Sequence, residues 1–209
     1  MAKPLFLLFS IFSFLFSLPS PTAAQNPAPA PLHPWRAQIL PPENAALTAR
    51  AYTSANPAER LRLYADALRA CRTNAAAMHA IARHCLDSGQ PAKAASLFNH
   101  LLQSWPGEPD FLVPLAEAHL ALPRPSRATL ETDLRELRDA APRFPREPDI
   151  PCQISRLALV LGDYPLALDS ARAAVRTALD LSLPPVDIAI YRLQDDIAQQ
   201  AFDTFLPVE

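Results

Sequence analysis

Glycine is almost absent from this sequence of 209 residues, which contains three. A dinucleotide fingerprint or a phosphate-cradling loop needs several glycines a few residues apart, where backbone meets phosphate, so the sequence argues against nucleotide enzymes of those types. Cysteine is as scarce, and Cys71, Cys85 and Cys152 match none of the paired zinc-ligand spacings. Neither sign of charge prevails: the net charge of −2 gives no electrostatic footprint for nucleic acid. No segment alternates apolar and polar residues as a strand would. There is no G-x-S-x-G elbow, no H-E-x-x-H, and no Ser, His and acid trio that spacing singles out. His79 and His84 invite a metal reading, but five residues put them about 140° apart round a helix, where ligands of one ion need a spacing of three or four. No catalytic residue, cofactor or metal is therefore expected.

Proline is what the chain has in quantity, 24 residues of it, beside a 50% hydrophobic content. At the amino end Lys3 precedes the apolar run Leu5 to Leu18, then Pro19, Pro21 and the small stretch Thr22-Ala23-Ala24. The pattern reads as a secretory signal peptide over 1–24, cut after Ala24. An uncleaved anchor is the alternative, although fourteen residues at about 1.5 Å each reach only about 21 Å of a roughly 30 Å hydrocarbon core. The mature protein is accordingly expected to be exported, periplasmic or secreted, with membrane contact only through the signal segment. Residues 25–42, opening Asn-Pro-Ala-Pro-Ala-Pro, favour extended polyproline geometry and read as a semi-rigid linker. Alternatively, Trp35 with Ile39 and Leu40 docks back on the domain.

Beyond residue 43 the prolines lie between segments with the three- and four-residue apolar spacing of amphipathic helices. Asn56-Pro57-Ala58-Glu59 supplies the cap, first-turn proline and acidic third residue of a helix start. From Ala75 the helices count in thirty-fours. Met78, Ile81, Ala82 and Cys85 precede Gly89, and Ala94, Phe98, Leu101 and Pro106 follow it. Adding thirty-four to the first set gives Leu112, Leu115, Ala116 and His119, the same large-then-small order. Pro123-Arg124-Pro125-Ser126 replaces the next glycine turn, and Pro145 closes a unit five residues longer. A further unit opening at Pro148 then requires a glycine at 162 and a small residue at 167, where Gly162 and Ala167 stand. Backwards, Leu47, Tyr64 and Ala67 fall on equivalent places.

These residues resemble the tetratricopeptide repeat, W-x2-L-G-x2-Y, a turn, then A-x3-F and a closing proline. The resemblance covers 43–181, as units of about 43–74, 75–108, 109–147 and 148–181. It implies an all-α, right-handed superhelix of helix-turn-helix repeats, with 182–209 as a capping helix and tail; a plain bundle of helical hairpins shares only the abundant alanine. Ile190, Leu193, Ile197 and Ala201 are expected to face the last unit, and Arg192, Asp195, Asp196 and Gln199 to face water. Cys85 and His119 take core-facing places, the histidine needing one buried partner. Cys71 and Cys85 should lie roughly 18 Å apart, too far for a disulfide, which leaves Cys152 as a free thiol or a link to another chain. Within Glu131–Asp139, Arg135 stands four residues from an acid on either side, suited to helix-face salt links.

Repeats of this family are similar in holding an extended peptide or partner helix on the inner face of each first helix. Projection onto that face selects Tyr52, His79, Arg83, Leu86, Val113, Glu117, Leu120, Arg156 and Leu159. Arg83 and Arg156 occupy the same place in their units with Glu117 between, and arginines beside apolar residues can receive a carboxylate. The expectation is an exported, non-enzymatic adaptor for another protein or peptide. The alternative is a structural subunit of an envelope or secretion assembly, working through the capping helix and the Pro-rich segment.

Overall fold

Proline and asparagine decide where the helices begin. In the computed structural model, which describes residues 33–205, nine α-helices follow a single 3₁₀ turn at Pro34–Ala37, and no strand occurs among the described residues. They are α1 Pro42–Thr53, α2 Pro57–Ala70, α3 Ala75–Asp87, α4 Pro91–Ser104, α5 Pro109–Leu120, α6 Arg127–Ala140, α7 Asp149–Leu161, α8 Tyr164–Asp180 and α9 Pro185–Phe205. Proline opens α1, α2, α4 and α5, where its missing N–H costs nothing and its fixed φ suits the first turn. The side chain of Asn56 accepts from the Ala58 and Glu59 amides at 3.0 and 3.4 Å, and that of Asn74 from the Ala77 amide at 3.0 Å. The signal segment 1–24 and residues 25–32 of the Pro-rich stretch lie outside the described residues, and no described helix is long and apolar enough to cross a membrane.

Each helix packs on the next, and α3 also meets α5, as α5 meets α7, so alternate helices form one continuous layer. The helices thus stack as four helix-turn-helix units, with α9 against α7 and α8 at the carboxyl end. Ala82, Ala94, Ala116, Ala158, Ala167 and Ala171 are wholly buried, because a methyl side chain is what permits backbones to approach at these crossings. Phe98, Phe111, Leu101, Leu130, Leu137 and Leu157 fill the space between units. Gly89 and Gly162 have φ of +68° and +84°, the left-handed conformation in which a side chain is strained. They turn the chain within the second and fourth units, as the thirty-four-residue count requires.

Polar groups lock the first joint. Buried Asn74 donates to Asn44 Oδ1 and to Thr48 Oγ1 at 2.8 Å, while Asn44 donates to the Ala67 carbonyl, which ties α1, α2 and the start of α3 together. His119 has the partner its place demands: Nδ1 lies 2.8 Å from Asp133 Oδ2. The three cysteines are free.

Three expectations need correction. From His33 onward the Pro-rich stretch is no linker, because Trp35 is buried against α3 and α5. Arg135 makes no link with Glu131 or Asp139; it donates to Thr132 Oγ1 at 3.4 Å, and Glu131 pairs instead with Arg127 at 2.8 Å. α9 is turned on its axis from the expected orientation: Tyr191, Gln194 and Ala198 are buried and Ile190, Leu193 and Ile197 are exposed, while Arg192 and Asp196 face water as expected. Two hydrogen bonds hold it there, since Tyr191 donates to Asp149 Oδ1 at 2.7 Å and Gln194 to Ser155 Oγ at 3.0 Å, anchoring α9 on α7.

Candidate functional site

Residues 33–40 lie as a strap across the inner layer. The Trp35 indole sits 5.4 Å from the His79 ring and 5.2 Å from that of Phe111, and its Nε1 donates to Asp110 Oδ2 at 3.0 Å. Arg36 stacks over the indole and donates to the same oxygen at 2.7 Å. Further on, the Gln38 amide nitrogen donates to the Thr73 carbonyl at 2.7 Å and its oxygen accepts from the Ala75 amide at 2.9 Å, so one side chain fixes the strap to the start of α3. His33 contacts Glu108 through Nδ1 and stands 3.7 Å from both Asp110 and Glu147.

A proline inside α5 prepares this seat. Pro114 has no N–H to give the Asp110 carbonyl one turn earlier, and His79 lines the same cleft as both residues. Burial pushes the His79 pKa down, Asp110 opposes that shift, and Arg83 and Arg36 add to it. His79 is thus a neutral ring set among Trp35, Phe98 and Phe111, more a wall of the strap's seat than an open contact residue.

Beside the strap a cleft of about 220 Å³ is lined by His79, Arg83, Asp110, Val113, Pro114, Glu147 and Ile150, among others. A second, of about 380 Å³, is lined by Tyr52, Arg60, Tyr64, Ala80 and Arg83. Arg83 therefore lies between the two, with its guanidinium 3.2 Å from Glu117 and about 40% of each side chain exposed. Tyr52 is 82% exposed. Leu86, Val113, Leu120 and Leu159 are half-buried against the core, and half-buried Arg156 lies near Cys152, whose thiol burial pushes up while Arg156 pulls it down. Leu86, Leu120, Arg156 and Leu159 line neither cleft. The groove is mixed in charge, because Glu117 pairs with Arg83 and Asp110, Glu147 and Asp149 border the cleft. Burial also pushes the Glu147 carboxyl up, an effect that His33 opposes.

Spacing alone could not find His33, Arg36, Glu108, Asp110 and Glu147, since they meet only when the strap folds back. The His33, Glu108 and Asp110 donor atoms lie within 4.8 Å of one another. Yet Asp110 Oδ2 already accepts from Trp35 and Arg36, and His33 Nδ1 engages Glu108, so the group is satisfied as a hydrogen-bonded clasp.

No protein-family model matches the chain, and no curated protein is similar to it in sequence. Among solved structures it is similar to a thermophilic TPR protein of Thermus thermophilus, with a TM-score of 0.52 and 21% identity over 78% of this chain and 92% of that one. The fold is that of a tetratricopeptide-repeat protein. Tetratricopeptide-like folds are in general scaffolds that bind protein partners, and they are typically non-catalytic.

Proposed function

We propose that this tetratricopeptide-like protein is an exported, non-enzymatic adaptor whose inner face binds an extended segment of a partner protein. The observation that carries the reading is the strap itself. A proline-containing segment with one 3₁₀ turn at Pro34–Ala37 is seated on the inner face by one indole among rings and by side-chain hydrogen bonds to Asp110, Thr73 and Ala75. A surface that holds such a peptide within the chain has the chemistry to hold another, and the adjoining cleft is open. Arg83 and Arg156, one place per unit, would anchor a carboxylate of the partner, with Tyr52, Val113 and Leu120 as apolar contacts. Export rests on the signal-like pattern of residues 1–24.

The test is a pull-down from the host's envelope fraction with the wild type and with Arg83→Ala/Arg156→Ala, checked for unchanged helicity and melting. A partner captured by the wild type and lost by the variant supports the inner face. One retained equally by both moves binding elsewhere. For export, amino-terminal sequencing of protein recovered outside the cytoplasm should begin at Gln25, and an intact chain confined to the cytoplasm would refute it.

A further inference from the structure

The strap is laid on the array rather than built into it. Ile39 is 97% exposed, and each helix packs on the next without the strap between them. Open space flanks it on both sides: the cleft of about 220 Å³ toward α7, and one of about 560 Å³ toward α1 whose lining includes Leu40, Thr48, Tyr52 and Tyr64. His79 borders both, so the strap divides a single trough. Lifting it breaks no contact between helices and joins the two clefts.

What the strap covers is acidic. Asp110 Oδ2 accepts from Trp35 Nε1 at 3.0 Å and from Arg36 Nε and Nη2 at 3.2 and 2.7 Å, while the carboxylate of Glu108, only 4% exposed, contacts His33. Glu147 stands 3.7 Å from the same imidazole. With the strap lifted these carboxylates lose those donors, and a buried acceptor left without a donor is costly. An acidic or purely apolar segment would leave them so. The seat therefore specifies its occupant: an indole N–H followed directly by a guanidinium.

We propose that the strap is an internal competitor, which shuts this seat until a partner's segment carrying tryptophan followed by arginine displaces it. The proposal rests on the reading that the inner face binds a partner's segment, and adds that this segment is aromatic and basic and takes the strap's own place. Arg83 donates to Glu117 and has no part in the seat's hydrogen bonds to the strap. Being tethered, the strap competes at a roughly millimolar effective concentration. A rival therefore binds only the fraction of molecules whose strap is lifted, and its apparent affinity falls by that fraction.

The probe is a fluorescein-labelled peptide copy of residues 33–40, His-Pro-Trp-Arg-Ala-Gln-Ile-Leu, whose anisotropy is followed on the full gene product as an exporting host processes it. Trp35→Ala frees the seat and should bind the probe at least about tenfold more tightly than the wild type. Arg36→Ala/Gln38→Ala, which keeps the buried indole, should fall between the two and serves if Trp35→Ala does not fold. Adding Asp110→Asn to Trp35→Ala should weaken the probe about tenfold, and a probe carrying Arg36→Glu should bind neither loosened variant. A wild type that binds as tightly as the loosened variants, loosened variants that bind no probe, or equal binding of the Arg36→Glu probe would each overturn the proposal. Capture of a partner that depends on Arg83 and Arg156 would survive such a result, so the adaptor reading stands or falls separately. Probe binding that follows the strap, with no partner captured from the host, would instead keep the seat and remove the adaptor.

Discussion

Arg83 and Glu117 stand thirty-four residues apart and pair at 3.2 Å between α3 and α5. The repeat length thus reappears in space as a ladder on the inner face, whose next place is Arg156. A half-exposed pair of this kind contributes little to stability, so its side chains can be exchanged for a partner's. Arg83→Ala should change unfolding free energy by less than about 1 kcal/mol. Ala82→Leu, one residue earlier and wholly buried, should cost about 1 to 3 kcal/mol by forcing helices apart, as should Ala167→Leu in the second helix of the fourth unit. Urea denaturation of the three variants separates the cases. Equal, negligible losses would contradict the assignment of small residues to the crossings.

The strap makes a different prediction. Trp35→Ala removes the indole that joins His79, Phe111 and Asp110, and should destabilise the protein by roughly 3 kcal/mol, the lower end for truncating a buried tryptophan. The lower end applies because the strap lies outside the helical units and can lift off as a whole. Limited proteolysis should then cut within residues 33–41, where the wild type resists. Unchanged stability together with unchanged protease resistance would show that Trp35 does not hold the strap.

How far the sequence foretold this molecule depends on the range of the interaction. The helix start at Asn56 and the turns at Gly89 and Gly162 are local, and the thirty-four-residue register followed from repeating such signals. The docking of Trp35 was one of two readings, because polyproline composition describes the unbound segment and says nothing of a seat built 75 residues later at Asp110. Of the nine residues projected onto the inner face, His79, Arg83, Val113 and Tyr52 line its clefts, whereas the acids beside them were missed. The rotation of α9 was misjudged because hydrophobicity ranked Ile190, Leu193 and Ile197 above Tyr191 and Gln194, while the buried acceptors Asp149 and Ser155 reward the latter.

Acid should loosen the strap's seat through His79. Its folded-state pKa lies below the ordinary value of about 6.5, first because burial disfavours the charged ring. Below pH of about 6.5 the unfolded chain takes up a proton that the folded one refuses, so this residue's contribution is lost as pH falls toward the depressed value. Glu147 has the opposite sign: its raised pKa removes stability as pH rises from about 4.3 through the folded value. Replacing the ring isolates the first effect. The melting temperature of the wild type should fall relative to His79→Phe between about pH 7.5 and 5.5. A difference that stays constant over that range would place His79 in a site where it takes up protons freely.

The orientation of α9 rests on Gln194 and Ser155, which bond at 3.0 Å in a site closed to water. Ser155→Ala strips the Gln194 amide of its acceptor and should cost about 1 to 3 kcal/mol, because the group stays buried with its hydrogen bond unmade. Adding Gln194→Leu removes the orphaned amide as well, and the double variant should regain most of that loss. Leu193→Ser, the neighbouring position, should cost less than about 0.5 kcal/mol, as expected of an exposed side chain. A thermodynamic cycle over the two buried positions, with Leu193→Ser as the control, tests the rotation directly. A large loss at Leu193 with no coupling between Ser155 and Gln194 would mean that the helix turns Ile190, Leu193 and Ile197 inward, and the anchoring of α9 on α7 would fall with it.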